Sequence, residues 1–323
     1  MMTSRRDFLA AAAISGTVFS SLAQEAFPVK PIRWVVPWVA GTPGDFVARI
    51  VGEQMAKDLG QPIVIENKAG ATGTAVIPEV LRQPADGYTL YYLGAASLLG
   101  PMLYPNANID FAKQFSAVGG LDTVASVVVV GNDKPYESLA DLVAAARSKG
   151  ESMTYASAGN GSPPHLVTEM FKQATGIKLS HIPYAQVGQA MTDVISGRVD
   201  LMFLGAPLAI QQVNGGRMRA LAVTSAKRMT QLPNVPTVDE AGTKGFSFVS
   251  FDGILVRRGT PEPVIRRLSD SLQTALSSTQ VRDAFAKGGL EVMQMNPSQF
   301  FAYMNAESSR FLAAAKAAGI RID

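Results

Sequence analysis

The chain of 323 residues contains no cysteine and only two histidines. Disulfides, thiolate zinc sites, iron–sulfur clusters and a lipid-anchored N-terminal cysteine are therefore excluded, and two isolated imidazoles do not make a transition-metal centre. Charge is also scarce. Only 17% of residues are Asp, Glu, Lys or Arg, and 29 basic against 26 acidic residues leave a net charge of +3. Without a run of basic residues, a nucleic-acid-binding surface is not expected. Beyond the N-terminal segment no stretch offers 18 uninterrupted apolar residues, so no membrane-spanning helix is expected and the mature protein should be soluble. The phosphate-cradling pattern G-x-x-x-x-G-K-[ST] is absent, and Gly159-x-Gly161 is followed by Pro164 where a dinucleotide fingerprint needs Gly or Ala. No cofactor is expected.

What is present is a 47% apolar chain, long enough for two domain-sized units. Residues 1–23 (MMTSRRDFLAAAAISGTVFSSLA) place two arginines before a short apolar stretch and a small-residue cleavage site near Ala23. That is the pattern of an export signal. Ser4-Arg5-Arg6-Asp7-Phe8-Leu9 is similar to the twin-arginine signal; an ordinary secretory signal carrying two arginines is the alternative.

The remainder alternates apolar runs with helical periodicity. Strands are predicted at Pro31–Pro37, Pro62–Glu66 and Gly87–Leu93. Helices are predicted from Phe46 to Leu59, stopped by Gly60, and from Gly70–Thr74 to Arg82. This βαβαβ order implies a mainly parallel sheet with helices on its faces. The plan repeats with strands at Val124–Val130, Met153–Ala156, Leu179–Tyr184, Asp200–Leu204 and Arg219–Thr224. Helices fall at Leu139–Lys149, Pro163–Thr175 and Gly188–Gly197. A strand at Phe248–Val256 precedes helices that fill Pro261 to the end. Two α/β lobes joined by strands rather than by a tether are expected.

Two strand–loop–helix junctions carry the chemical argument: Trp38 to Asp45 before one helix, and Ser157 to His165 before another. Helix starts expose unpaired backbone N–H groups at the positive end of the helix dipole, and are natural anion sites. Neither loop contains Lys or Arg. An anion there must be held by amides and hydroxyls rather than by a guanidinium fork, as suits reversible capture.

The mature chain resembles the periplasmic substrate-binding proteins of tripartite tricarboxylate transporters, the Bug-type solute receptors. The matching stretches are PVKPIRWVVPWVAG, LGQPIVIENKAGATG, DGYTL, YASAGNGSPPHL, HIPY, DVISGRVDLMF and GGRMRALAVTSAKRMTQLPNVPTVDEAG, in order from about Pro28 to Pro261. The resemblance implies a two-lobed, type II periplasmic binding fold: each lobe a mainly parallel sheet flanked by helices, the two joined by crossover strands near Ala125 and Phe248. Lobe 1 would comprise residues 24–125 and 248–323, and lobe 2 residues 126–247. It further implies a monomer that closes on a small organic carboxylate in the periplasm and delivers it to a permease of one large and one small membrane subunit. Carried over, Trp38, Val39, Ala40, Gly41, Thr42, Gly44 and Asp45 would form the first-lobe wall, with Ser97 as an addition. Ser157, Ala158, Gly159, Gly161, Ser162 and His165 would form the second-lobe wall, completed by Tyr184, Gly205 and Ala206. The sequence departs from the family pattern at Trp38 (usually Phe), Gly41-Thr42 (usually two glycines), Ala185-Gln186 (often Lys-Gly) and Leu204 (often Asp). These changes make the pocket less polar and point to an aromatic or otherwise apolar carboxylate rather than citrate.

Several of these residues have a second reading. Trp38 suits core packing as well as a ligand wall. Asp45 suits orientation of its loop as well as ligand contact, and His165 suits helix packing as well as a neutral polar contact. His181, Asp193 and Asp200 read as structural. Two other function classes are compatible with parts of the sequence. A serine hydrolase using Ser157 lacks the first Gly of G-x-S-x-G, and no histidine follows His181 to serve as its base, so an enzyme is not expected. A component presenting its ligand to a membrane sensor would share the fold.

Overall fold

The computed structural model describes Phe27 to Ile320. The expected export signal over 1–23 and its cleavage near Ala23 lie outside the described residues. In chain order the larger elements are β1 (Ile32–Val36), α1 (Pro43–Leu59), β2 (Ile63–Asn67), α2 (Ile77–Arg82), β3 (Thr89–Gly94), α3 (Gly100–Leu103), α4 (Phe111–Gln114) and β4 (Phe115–Gly131). There follow α5 (Leu139–Lys149), β5 (Thr154–Ser157), α6 (Pro163–Thr175), β6 (Ser180–Pro183), α7 (Val187–Ile195), β7 (Leu201–Gly205), α8 (Ala206–Asn214) and β8 (Met218–Val223). The last are β9 (Val249–Arg257), α9 (Glu262–Ser277), α10 (Thr279–Gly288), β10 (Leu290–Val292) and α11 (Pro297–Ala317).

Local chemistry sets the helix limits. Pro43 and Pro163 open α1 and α6 at positions where no N–H is needed, and Gly60 and Gly176 close them with φ of 68° and 69°. Val47, Val51, Met55 and Leu59 bury one face of α1 at helical spacing.

The strands run in the order β2-β1-β3-β9-β4-β7-β5-β6, with β8 and β10 also pairing with β4. The outer strands pair in parallel, β1 with β2 and β3, and β5 with β6 and β7. The two central strands run antiparallel to their neighbours, so the sheet is mixed. The fold is α/β, of the two-lobed type II binding class.

The long strand β4 connects the lobes. Its first part pairs with β9 as far as Ala125↔Val249; from Ser126 onward it pairs with β7 and β8. Thr224, fully buried, sits where the pairing changes. Its Oγ1 accepts from Ser126 N–H (2.8 Å) and donates to the Phe248 carbonyl (2.7 Å). Its own backbone also bonds to both residues, Thr224 N–H to Ser126 O and Phe248 N–H to Thr224 O. One side chain thus ties the two crossover strands together at the hinge.

Three elements differ from the expectation. The strand expected from Val124 begins nine residues earlier, at Phe115. Gly119 and Gly120, which look like a turn, are instead places where packing leaves no room for a side chain: a Cβ on Gly120 would lie 2.4 Å from Met293 Sδ. The helix expected from Gly70 to Arg82 is confined to Ile77–Arg82, because Ala71 and Thr72 adopt left-handed φ values of 46° and 52°. The C-terminal helices are interrupted by β10, which pairs with Asp122–Val124 of β4.

The hinge arrangement gives a stability prediction. Thr224→Val keeps the shape but strands Ser126 N–H and Phe248 C=O. Each stranded buried group costs about 1–3 kcal/mol. Urea unfolding should show a lowered midpoint at unchanged slope; a change below about 0.5 kcal/mol would deny these bonds any weight.

Candidate functional site

The first-lobe loop is built around Asp45. Its side chain is buried, and both oxygens are occupied: Oδ2 accepts from Gly41 N–H (2.9 Å) and Arg49 Nε (3.0 Å), and Oδ1 from Asn67 Nδ2 (2.9 Å) and Arg49 (3.0 Å). Burial alone would raise its pKa; the bonds from Arg49, Gly41 and Asn67 outweigh burial and hold it below the usual carboxylate range. Asp45 therefore orients the loop. Gly41 takes φ of 83°, and Thr42 Oγ1 donates to the Val39 carbonyl instead of capping α1. Val39 and Ala40 project to solvent at the tip, Val39 with 60% exposure. The Trp38 indole is half-buried and lies across Gly44 and Gly94. A Cβ on either glycine would come within 2.7 Å of the ring.

The second-lobe loop follows β5. Ser157 Oγ is buried; it accepts from Gly159 N–H (3.1 Å) and sits 2.6 Å from His181 Nε2. Ser162 Oγ donates to Gly159 O (2.7 Å), and Gly161 N–H donates to His165 Nδ1 (3.2 Å). Ala158 is exposed, and neither its amide nor that of Asn160 has a hydrogen-bond partner among the described residues. Burial, followed by the neighbouring His165, pushes His181 down to about 4; burial also lowers His165. A third helix start, missed in the sequence, belongs to α8, which leaves the end of β7 directly at Ala206 after Gly205. The signal was Pro207 just inside a helix start behind an apolar strand.

The lobes bring the starts of α1 and α8 face to face. Gly41, Thr42, Pro43 and Phe46 share a cavity of about 720 Å³ with Pro207, Leu208 and Gln211 of α8 and with Gln280, Ala284 and Lys287 of α10. On the other side, a Cβ on Gly161 would lie 2.6 Å from Leu103 of the first lobe. Three of the expected contact residues carry hydrogen bonds within their own lobes. Ser97 is buried, its Oγ donating to Thr72 O (3.0 Å) in the strained left-handed turn. The Tyr184 hydroxyl donates to Asp193 (2.6 Å). Ser157 Oγ has its neighbours already, and no carboxylate bonds to His181 among the described residues, so the pair lacks the third group of a triad.

Behind Trp38 lies a feature the sequence concealed. Asp122 of β4 and Asp252 of β9 are directly opposed in the ladder. Tyr92 OH donates to Asp252 Oδ2 (2.6 Å), whereas Asp122 is fully buried with neither oxygen bonded. Burial pushes Asp252 up to about 7, against the pull of the Tyr92 bond, and burial together with the charge of Asp252 raises Asp122 well above the carboxylate range. Two facing carboxyls without a cation do not both ionise at neutral pH.

With this geometry in view, comparison with known proteins gives a consistent picture. The family described as "Tripartite tricarboxylate transporter family receptor" matches residues 47–320. The chain is similar to the periplasmic binding protein BugD, at 33% identity and a TM-score of 0.79, covering 92% of this chain and all of that one. It is similar to R. palustris Rpa4515, determined with adipate, at 30% identity and a TM-score of 0.82 over 92% of this chain and 100% of that one. It is also similar to MatC from Rhodopseudomonas palustris, determined with bound malate, at 29% identity and a TM-score of 0.77 over 89% and 99% of the two chains.

Two outcomes check the first-lobe wall. Gly94→Ala should displace the Trp38 indole and change its fluorescence, while the fully buried Trp34 keeps its own; an unchanged spectrum would mean the ring does not lie where described. The acid pair makes stability pH-dependent. Because the folded pKa of Asp252 is raised from 3.8 to about 7, its favourable contribution is complete below the lower value and is lost as pH rises through the upper one. The thermal midpoint should fall between about pH 4 and pH 7. Asp122→Asn should raise it at the alkaline end and leave it nearly unchanged at the acid end.

Proposed function

We propose that this chain, which belongs to the receptor family of the tripartite tricarboxylate transporters, captures a small organic carboxylate by closing its two lobes and hands it to a membrane permease. One observation carries the reading: the start of α1 from one lobe and the start of α8 from the other line one cavity, and the Gly-rich loops before α1 and α6 contain no Lys or Arg. Amides at helix starts bind an anion through fixed dipoles. Neutral donors release it again more readily than a bidentate guanidinium would.

The adipate and malate held by the two R. palustris relatives belong to the same chemical class. Phe46, Ile50, Pro207, Leu208 and Ala284 line the cavity beside the loops and favour an acid with an apolar or ring-bearing body over citrate. Asp283 and Lys287 of α10 also line it, and Lys287 is the cation available to a second carboxylate.

On this reading, residues 24–125 with 248–323 form one lobe and 126–247 the other. They hinge on β4 and β9, and the ligand's greater affinity for the closed form drives closure. The protein works as a monomer in the periplasm. Residues 1–23 direct its export by the twin-arginine route, and its membrane partner has a large and a small subunit. No chemistry is performed on the ligand.

Thermal shift with adipate, malate, citrate and benzoate tests the class. At a hundredfold excess over Kd, a bound acid adds about 2.7 kcal/mol and raises the melting temperature. Chromatography should recover it unchanged. Ala158→Asp places a fixed negative charge at the exposed loop position and should weaken the best acid at least tenfold while the fold is retained, about 1.4 kcal/mol or more. Unaltered affinity would remove the second loop from the site.

A further inference from the structure

His165 and His181 both bond to the second-lobe loop. They come from different elements, the first turn of α6 and the middle of β6, yet their rings stack with centroids 4.0 Å apart and planes 19° apart. Tyr155 continues the stack against His181 at 4.8 Å and 17°. Its hydroxyl donates to Glu169 (2.5 Å), which also holds Lys172 (2.7 Å), so the base of the stack is pinned. Each imidazole then presents one nitrogen to the loop: Nδ1 of His165 accepts from Gly161 N–H, and Nε2 of His181 is bonded to Ser157 Oγ, which in turn accepts from Gly159 N–H.

We infer that His165 and His181 are positioning residues for the second loop. By tying back the amides of Gly161 and, through Ser157, of Gly159, the stacked pair leaves the intervening amides of Ala158 and Asn160 as the donors offered to an anion. This deepens the carboxylate reading and rests on it. The two glycines have φ of 97° and 74°, so alternate peptide groups in the loop face opposite ways, and tying one set inward turns the other outward. The role requires uncharged rings, since a protonated Nδ1 on His165 has no lone pair for Gly161 N–H. Burial of both rings supplies that condition.

Amide hydrogen exchange read residue by residue by NMR on the purified protein, first with no acid added, tests the positioning role independently of any ligand. Gly159 and Gly161 should exchange at least tenfold more slowly than Ala158 and Asn160. His165→Phe should release Gly161, and His181→Phe should release Gly159, with the stacking retained. His165→Asn and His181→Gln, which restore a polar atom at the bonded position, should recover most of the protection. A Gly161 amide still protected in His165→Phe, or Ala158 and Asn160 protected without ligand, would overturn the inference. If a phenylalanine variant does not fold, the wild-type exchange pattern alone decides. Adipate, malate and benzoate are then added in turn. A bound acid that shifts the Ala158 and Asn160 amides supports the donor assignment, and one that shifts Gly159 and Gly161 instead overturns it. If the expected exchange pattern is seen but none of the three acids binds, the positioning role is supported and the carboxylate reading is not.

Discussion

Main-chain amides left over where a helix begins need a partner, and in this protein the starts of α1 and α8 face one cavity. Their first N–H groups have no carbonyl one turn earlier to accept their hydrogens, whereas α6 opens on Pro163 and Pro164, which carry none. Because each helix leaves the carboxyl end of a strand, the sheet topology gathers these donors on one side of each lobe. Every other feature of the cleft follows from how the loops orient them. Asp45 draws Gly41 N–H inward on one side, and the His165–His181 pair draws in Gly161 and Gly159 on the other.

Orientation would be of no use if the lobes moved apart freely. They are joined through strands that belong to both, and Thr224 bonds both crossing segments at the point where pairing changes. Below the hinge a continuous apolar core runs from Phe115 and Phe300 through Phe248 and Phe311 to Tyr155 and Phe171. The two halves therefore share a base, with a cavity between α1 and α8 on one side and Gly161 packed against Leu103 on the other. Such a base is what the proposed bending about β4 and β9 needs, because sliding would break ladder hydrogen bonds.

The treatment of charge is consistent across the two walls. The second-lobe wall carries two imidazoles that burial keeps neutral. The first-lobe wall carries one carboxylate, Asp45, whose charge is consumed by Arg49, and behind it the pair Asp122 and Asp252, which burial inclines toward the protonated state. Formal charge on these two walls is thus paired or suppressed by burial, and the ionisable side chains that line the cavity, Asp283 and Lys287, come from α10. A buried carboxyl without a partner is costly when ionised, and the structure retains Asp122 in that condition beside Trp38 and Tyr92.

Much of this was legible in the chain itself. The helix expected over Pro163–Thr175 is α6, and Gly60 ends α1 as expected. The ordered stretches from PVKPIRWVVPWVAG to GGRMRALAVTSAKRMTQLPNVPTVDEAG named the family. These features are local, set by residues adjacent in sequence, so periodicity, caps and motif order reveal them. The opposition of Asp122 to Asp252, the stacking of His165 on His181, the seating of Trp38 over Gly44 and Gly94, and the extension of β4 through Gly119 and Gly120 are not local. They depend on strand register and on side chains far apart in the chain meeting in space, and that information exists only once the lobes have packed.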